Sequence, residues 1–232
     1  MQVKRLDGEL FKGLVINGCE NLKANYQYVD SLNVFPIPDG DTGTNMRMTI
    51  EGGVNEVYSI HEHNIYEMSK KISRGMLMNA RGNSGVILSQ IFRGISKGLE
   101  GYDQVDSIKL AQALERGVEQ AYKAVKKPAE GTILTVAKDG AHKMSLIANS
   151  RMSINEFFNE YLIELNESLI RTPDLLPVLK EAGVVDSGGQ GFVYIIEGML
   201  RFLNGEEIHF EEEVTQDNEE ENVGYCAELV VV

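Results

Sequence analysis

The amino-acid sequence predicts an all-α fold: an antiparallel up-and-down helical barrel or bundle of about eight to nine helices. Three observations lead there. Apolar residues recur at helical spacing through most of residues 1–205. No stretch in that span shows the strict alternation of a half-buried strand. Polar, Gly-containing turns interrupt the pattern at intervals that leave helices of ordinary length.

The first helix covers about residues 7–30, with Leu10, Phe11, Leu14, Val15, Leu22, Tyr26 and Val29 as its stripe. The second runs from Thr44 to Tyr58 and turns Met46, Ile50, Val54 and Val57 to one side. Asn64 is placed to cap a third, which carries Ile65, Met68 and Ile72. A fourth follows Gly82-Asn83-Ser84-Gly85 and carries Val86, Ile87, Ile91, Phe92 and Ile95. Residues 106–126 form the fifth, ended by Pro128. The sixth runs from near Thr132 to about Ala148, and the seventh over 154–170 with Phe157, Phe158, Tyr161, Leu162, Leu165 and Leu169. A short helix is expected from Pro173-Asp174, and a last one after Gly188-Gly189 with Phe192, Ile195, Ile196, Met199 and Leu203. No internal repeat is present.

The chain has 232 residues, 43% hydrophobic and 25% charged, which suits a globular protein with one buried core. No apolar stretch is long enough to cross a bilayer. Asp7 and Glu9 stand where a secretion signal needs an apolar run. Cys19 and Cys226 are too far apart in sequence to suggest a disulfide framework or a metal motif, so a cytoplasmic protein is expected. The net charge of −13 is uneven, because residues 206–232 hold ten acids and no Lys or Arg, leaving a body near −3. Without a basic stripe, nucleic acid and anionic membrane are poor partners. A phosphorylated ligand would need a metal ion to offset its charge. The division expected is a helical domain over 1–205, an acidic linker over 206–222, and a strand over 223–232. A lone apolar strand such as YCAELVVV cannot bury itself. It reads as the start of a further domain, with a disordered or self-docking tail as the alternative.

The chemistry concentrates in four turns. The first is Asn33-Val-Phe-Pro-Ile-Pro-Asp-Gly-Asp-Thr-Gly-Thr-Asn45. Its prolines make it a rigid loop leading into a helix. Asp39 and Asp41, two residues apart across a glycine, can point the same way, and paired hard oxygens suit Mg2+. Thr42, Thr44 and Asn45 follow at a helix start, where free N–H groups favour phosphate. An EF-hand is excluded, because Thr44 and Ile50 stand where it needs a glycine and a bidentate glutamate. The competing reading is an Asx-turn with helix caps. The second turn, Arg81-Gly-Asn-Ser-Gly85, offers another backbone cradle, though Asn-Ser is also a good cap. Arg81 could offset charge on a transferred phosphoryl group or could be a surface residue. The third and fourth are Lys127-Pro-Ala-Glu-Gly-Thr132 and Val185-Asp-Ser-Gly-Gly-Gln-Gly191. Neither is a Walker A loop or a dinucleotide fingerprint. In an up-and-down bundle, four such turns can gather at one end as a single phosphate-and-metal site. Elsewhere, Cys19 reads as core, His61 and His63 as an exposed loop, and His142 as helix surface.

The blocks NVFPIPDGDTGTNM (33–46), ARGNSGVILSQIFRG (80–94), KPAEGTILTVAKDGA (127–141) and LKEAGVVDSGGQGF (179–192) resemble the nucleotide-binding domain of dihydroxyacetone-kinase-type proteins. Within that group they look most like the N-terminal domain of the bacterial fatty acid kinase A subunit. The resemblance covers about residues 7–204, and the acidic linker with its strand resembles the passage into that protein's middle domain. It implies a helical barrel holding ATP or ADP at one end through two Mg2+ ions. By position, Asp39 and Asp41 match the metal-binding acids. Asn33 is the nearest match to a third acid, at one residue's remove. Thr44, Asn45, Asn83, Ser84 and Gly85 match phosphate-side loops. Thr132 and Asp186-Ser187-Gly188 match loops that close over the nucleotide. The implied reaction moves the ATP γ-phosphate to a fatty acid carboxylate, giving the acyl phosphate used for phospholipid synthesis. The fatty acid comes on a separate DegV-type fatty-acid-binding protein. The domains expected beyond residue 232 are implied as further partners, and a homodimer through the parent protein stays open. The alternatives are a kinase subunit for dihydroxyacetone or another small polyol, and a nucleotide-holding regulatory module without turnover.

Overall fold

The structure is a computed structural model that describes residues 3–208. Among the described residues there are nine helices and no strand, in agreement with the all-α expectation. They are α1 (Gly8–Ser31), α2 (Thr42–Val57), α3 (Ile65–Met78), α4 (Gly82–Gly98), α5 (Ser107–Ala124), α6 (Ile133–Ile147), α7 (Ile154–Leu175), α8 (Pro177–Ala182) and α9 (Ser187–Leu203). The strand expected over 223–232 and the linker beyond residue 208 lie outside the described residues. No described helix is long and apolar enough to cross a membrane.

The helices close a ring. Contacts run from α1 to α2, α2 to α4, α4 to α5, α5 to α6, α6 to α7 and α7 to α9, and α9 returns to α1. α3 packs across α2, α4 and α1, and α8 lies against α7. The apolar stripes meet inside, where Leu14, Leu22, Met46, Ile50, Ile72, Phe157 and Phe192 have almost no exposure. Each such side chain contributes about 1.5–3 kcal/mol by leaving water. The α1–α9 seam is set by small residues. A side chain at Gly18 would meet the Ile195 carbonyl at 2.7 Å, and one at Gly198 would meet that of Asn17 at 2.6 Å. Cys19 is a free core thiol, and burial pushes its pKa up.

Helix direction alternates along the chain from α1 to α7, so α1, α3, α5 and α7 start at one end, while the ring neighbours α2 and α4 run parallel. That end is closed by backbone bonds: Leu6 pairs with Val105, Ile65 N–H donates to Asp103, and Ile154 N–H donates to Val3. It is also closed by side-chain caps from Asp7, Asn64, Asp106 and Ser153.

One boundary differs from the sequence expectation. α7 does not stop near 170 but carries Pro173 inside it, and the short helix begins at Pro177. Proline leaves the carbonyl four residues back without its usual donor. Here the Thr172 hydroxyl donates to that carbonyl, Leu169 O, at 2.7 Å, so the helix continues. Leu176 then turns extended, and Pro177 takes the first position of α8, where no N–H is needed.

Candidate functional site

The remaining long helices, α2, α4, α6 and α9, start at the other end. Their N-termini open on one cleft of about 620 Å³. The four Gly-containing turns therefore converge. Asp39, Asp41, Thr42, Asn45, Asn83, Ser84, Thr132, Asp186 and Gly188 all line this cleft. Val86, Ile87, Val125, Ile133 and Leu134 add apolar surface, and Lys126 and Lys127 add positive charge.

The loop between α1 and α2 curls around Asn33, which is buried. Its Oδ1 accepts from Gly40 N–H at 3.0 Å and Asp41 N–H at 3.3 Å, while its Nδ2 donates to Ile37 O at 3.1 Å. Asn33 also lines the cleft beside Asp39 and Asp41. Its amide oxygen faces two backbone donors, whose positive ends would repel a cation. Its role is to present Asp39 and Asp41. Asp41 stands at the N-cap of α2 but makes no capping bond. Among the described residues neither carboxylate has a protein partner.

Thr44 is placed away from the cleft. Its hydroxyl donates to Asp30 Oδ2 at 2.7 Å and its N–H to Asp30 Oδ1 at 3.0 Å, so it faces the end of α1 and is not among the cleft-lining residues. Gly85 is buried between helices, where an added Cβ would collide with Thr49 Oγ1. Its smallness sets how closely α4 approaches α2. Thr49 Oγ1 also donates to Asn45 O at 2.7 Å and accepts from Arg81 N–H at 3.2 Å, which fixes the two N-termini side by side. Gly82 completes this contact. Its φ of +56° is open to glycine, and a Cβ there would run into the Asn45 amide. Arg81 itself is exposed, and its side chain does not line the cleft.

The third turn is held by Glu130. Burial raises its pKa, but hydrogen bonds from Lys138, Thr135 and Tyr122 outweigh that and keep it below the usual carboxylate range. The Lys138 and Thr135 bonds are both 2.7 Å long. The Thr132 hydroxyl donates to Ala129 O at 2.8 Å. In the fourth turn Asp186 is 5% exposed. Its Oδ2 accepts from Gly189 N–H at 2.7 Å as the cap of α9. Burial pushes its pKa up to about 6, against the pull of the Gly189 and Ile133 backbone N–H groups. Asp186 lines the cleft, and its carboxylate joins the starts of α6 and α9.

The two ends of the ring differ in capping. Asp41, Arg81 and Thr132, at the starts of α2, α4 and α6, make no side-chain capping bond. At the opposite end every helix start has one. Helix starts carry N–H groups that need an outside acceptor, together with the positive end of the dipole. Three of them left uncapped around one cleft form a surface for an anion. The residues also fit a hard cation. Among the described residues no group of three His, Cys, Asp or Glu side chains forms a metal cage. Mg2+ does not need one, because it is commonly held by one or two carboxylates plus ligand phosphates and water.

Sequence reasoning missed Asp30, Lys126 and the apolar wall. Asp30 reads as an ordinary helix-end residue. Lys126 follows α5, where Val125 has turned extended three residues before Pro128, and only this early unwinding brings it to the cleft.

The fold is thus an all-α domain, a closed ring of helices in which three uncapped helix starts and two unpartnered acids share one cleft. More specifically, the chain belongs to the DAK2 domain family, which matches residues 36–201. It is similar to an uncharacterized protein of Staphylococcus aureus strain USA300, 46% identical over 246 residues, covering 99% of this chain and 44% of that protein. A protein of strain MRSA252, also uncharacterized, is 47% identical over 244 residues with the same coverage. The chain thus spans less than half the length of these curated relatives. Among solved structures it resembles the dihydroxyacetone kinase from C. freundii in complex with AMP-PNP and Mg2+, with TM-score 0.64, 18% identity, and coverage of 87% of this chain and 35% of that one. The native form of that kinase gives TM-score 0.58 at 16% identity, with coverage of 87% and 36%. At these identities the likeness is one of fold.

Proposed function

We propose that this chain is a Mg-nucleotide-binding phosphotransfer domain that serves a fatty acid carboxylate as acceptor. The observation that carries the nucleotide reading is the capping contrast: three uncapped helix starts face Asp39 and Asp41 across one cleft. The AMP-PNP and Mg2+ bound by the kinase of like fold support it.

In this reading the starts of α2 and α4, with Asn45, Asn83 and Ser84, hold the phosphates through N–H and side-chain donors. Asp39 and Asp41 hold the metal. Lys126 and Lys127 add charge compensation at the rim, in place of Arg81. The apolar wall of Ile87, Val125 and Ile133 receives the base. Bound Mg2+ would neutralise charge on the transferred phosphoryl group. What the chain itself supplies is positioning.

The acceptor reading rests on the sequence resemblance and on one property of the cleft. Among the described residues lining it there is no histidine, and the buried carboxylate of Asp186 is engaged by backbone N–H groups. A carboxylate acceptor is already ionised near neutral pH and needs no general base. A dihydroxyacetone or small-polyol hydroxyl would draw on a base from elsewhere. The acid would be presented by a separate fatty-acid-binding protein of the DegV type, with the rest of the longer protein assisting its docking, and the products would be acyl phosphate and ADP.

Calorimetric titration with ATP, with and without Mg2+, tests the site on the wild type beside Asp39→Ala. Micromolar-range affinity that requires both metal and Asp39 is expected, and binding indifferent to both refutes the assignment. The acceptor is tested by phosphate transfer from labelled ATP in the full-length protein, offered a loaded fatty-acid carrier and, in parallel, dihydroxyacetone. Label found only in the polyol refutes the fatty acid reading.

A further inference from the structure

Behind the cleft, the C-terminal turn of α7 touches two of its loops. Thr172 is fully buried there. Because Pro173 cannot donate to Leu169 O, the Thr172 hydroxyl proton is committed to that carbonyl at 2.7 Å. The hydroxyl oxygen is then turned as an acceptor, and it takes the Asp186 backbone N–H at 3.1 Å. Asp186 in turn joins the starts of α9 and α6 through Gly189 and Ile133. The same turn of α7 backs the third loop. A Cβ at Gly131 would lie 2.9 Å from Thr172 O and 2.8 Å from Leu176 Cβ, so the loop rests directly on it.

We infer that Thr172 is a positioning residue for the nucleotide site: its hydroxyl, oriented by the adjacent proline, fixes Asp186 and so sets the spacing of the α6 and α9 N-termini across the cleft. It touches no ligand and acts only through Asp186. This inference rests on the nucleotide-binding reading for its functional consequence, but its structural half stands apart. A hydroxyl that merely filled core volume could be replaced by an isosteric methyl with no effect at the cleft. One that holds the N-cap residue cannot.

The test compares Thr172→Val, which keeps shape and removes the hydroxyl, with Thr172→Ser, which keeps it. Two readouts are taken on the full chain, well below its unfolding temperature. The first is hydrogen exchange at Ile133, Asp186 and Gly189. Faster exchange is expected there in Thr172→Val, with α1–α5 unchanged and near wild-type behaviour in Thr172→Ser. The second is Mg-ATP affinity, expected to weaken about tenfold in Thr172→Val and to recover in Thr172→Ser. A variant that unfolds earlier but keeps wild-type exchange at those amides and wild-type affinity overturns the inference. If the wild type binds no nucleotide, the function reading fails, and the exchange experiment still decides the clasp. Should Thr172→Val fail to fold, Asp186 exchange in Thr172→Ser against Thr172→Ala carries the same comparison, and equal exchange in the two overturns it.

Discussion

Asp186 makes stability depend on pH in a direction opposite to that of most carboxylates. Its ordinary value is 3.8 and its folded value is about 6, because burial penalises the charged form more than its two backbone donors favour it. A raised folded pKa means the folded state binds the proton more tightly. The stabilisation is fully present below 3.8 and is lost as pH rises through about 6. Integrating both titrations from pH 8 down to pH 5 gives a gain on the order of 1 kcal/mol from this one group. Asp186→Asn is the reference, since it keeps the shape, cannot titrate, and leaves every other group in place. Urea unfolding of both proteins at pH 8 and pH 5 isolates the term, as other titrations cancel in the difference. The wild type should gain on the order of 1 kcal/mol over the variant on going to pH 5. A difference that stays constant, or one of opposite sign, refutes the claim that burial holds the Asp186 pKa above its ordinary value.

Gly85→Ala should lose about 1–2 kcal/mol in denaturant unfolding, because the new methyl meets Thr49 Oγ1, although alanine favours the helix itself. Measured Mg-ATP affinity should fall with it, since α4 is pushed from α2, and a neutral or stabilised variant would show that the contact is slack. Thr44→Val should cost about 1–2 kcal/mol by stranding Asp30, while leaving nucleotide affinity within about threefold. A large affinity loss at full stability would return Thr44 to the ligand side. Arg81→Ala should leave both affinity and transfer rate within about twofold, as its side chain is outside the cleft. A loss of a hundredfold in rate alone would mean that it swings in during transfer.

Helix count and order were legible because the apolar stripes are long and regular, and the packing uses them as they stand. The gathering of four turns was legible from their shared form, each a polar Gly-containing break before a helix. What a given residue does within a turn was not, because it depends on a partner distant in sequence. Thr44 and Asn33 have the composition of phosphate and metal contacts, yet Thr44 is claimed by Asp30 and Asn33 by the loop it anchors. Gly85 stands in a cradle-like string, but Thr49 across the helix pair decides its role. Pro173 was read as a helix start because proline usually is one; the hydroxyl beside it reverses that rule. Asp39 and Asp41, read from their spacing across Gly40, do lie together at the cleft.

The cleft draws on residues from Asn33 to Gly188, and the ring that shapes it is closed by α9 against α1. During synthesis the chain emerges from its N-terminus, so three of the four helix starts exist before their surroundings do. A nascent chain ending before residue 187 has the acids and the uncapped amides, but α1 still lacks the apolar face that α9 buries. On the proposed reading, a cleft competent for ligand therefore forms only once α9 has closed the ring against α1.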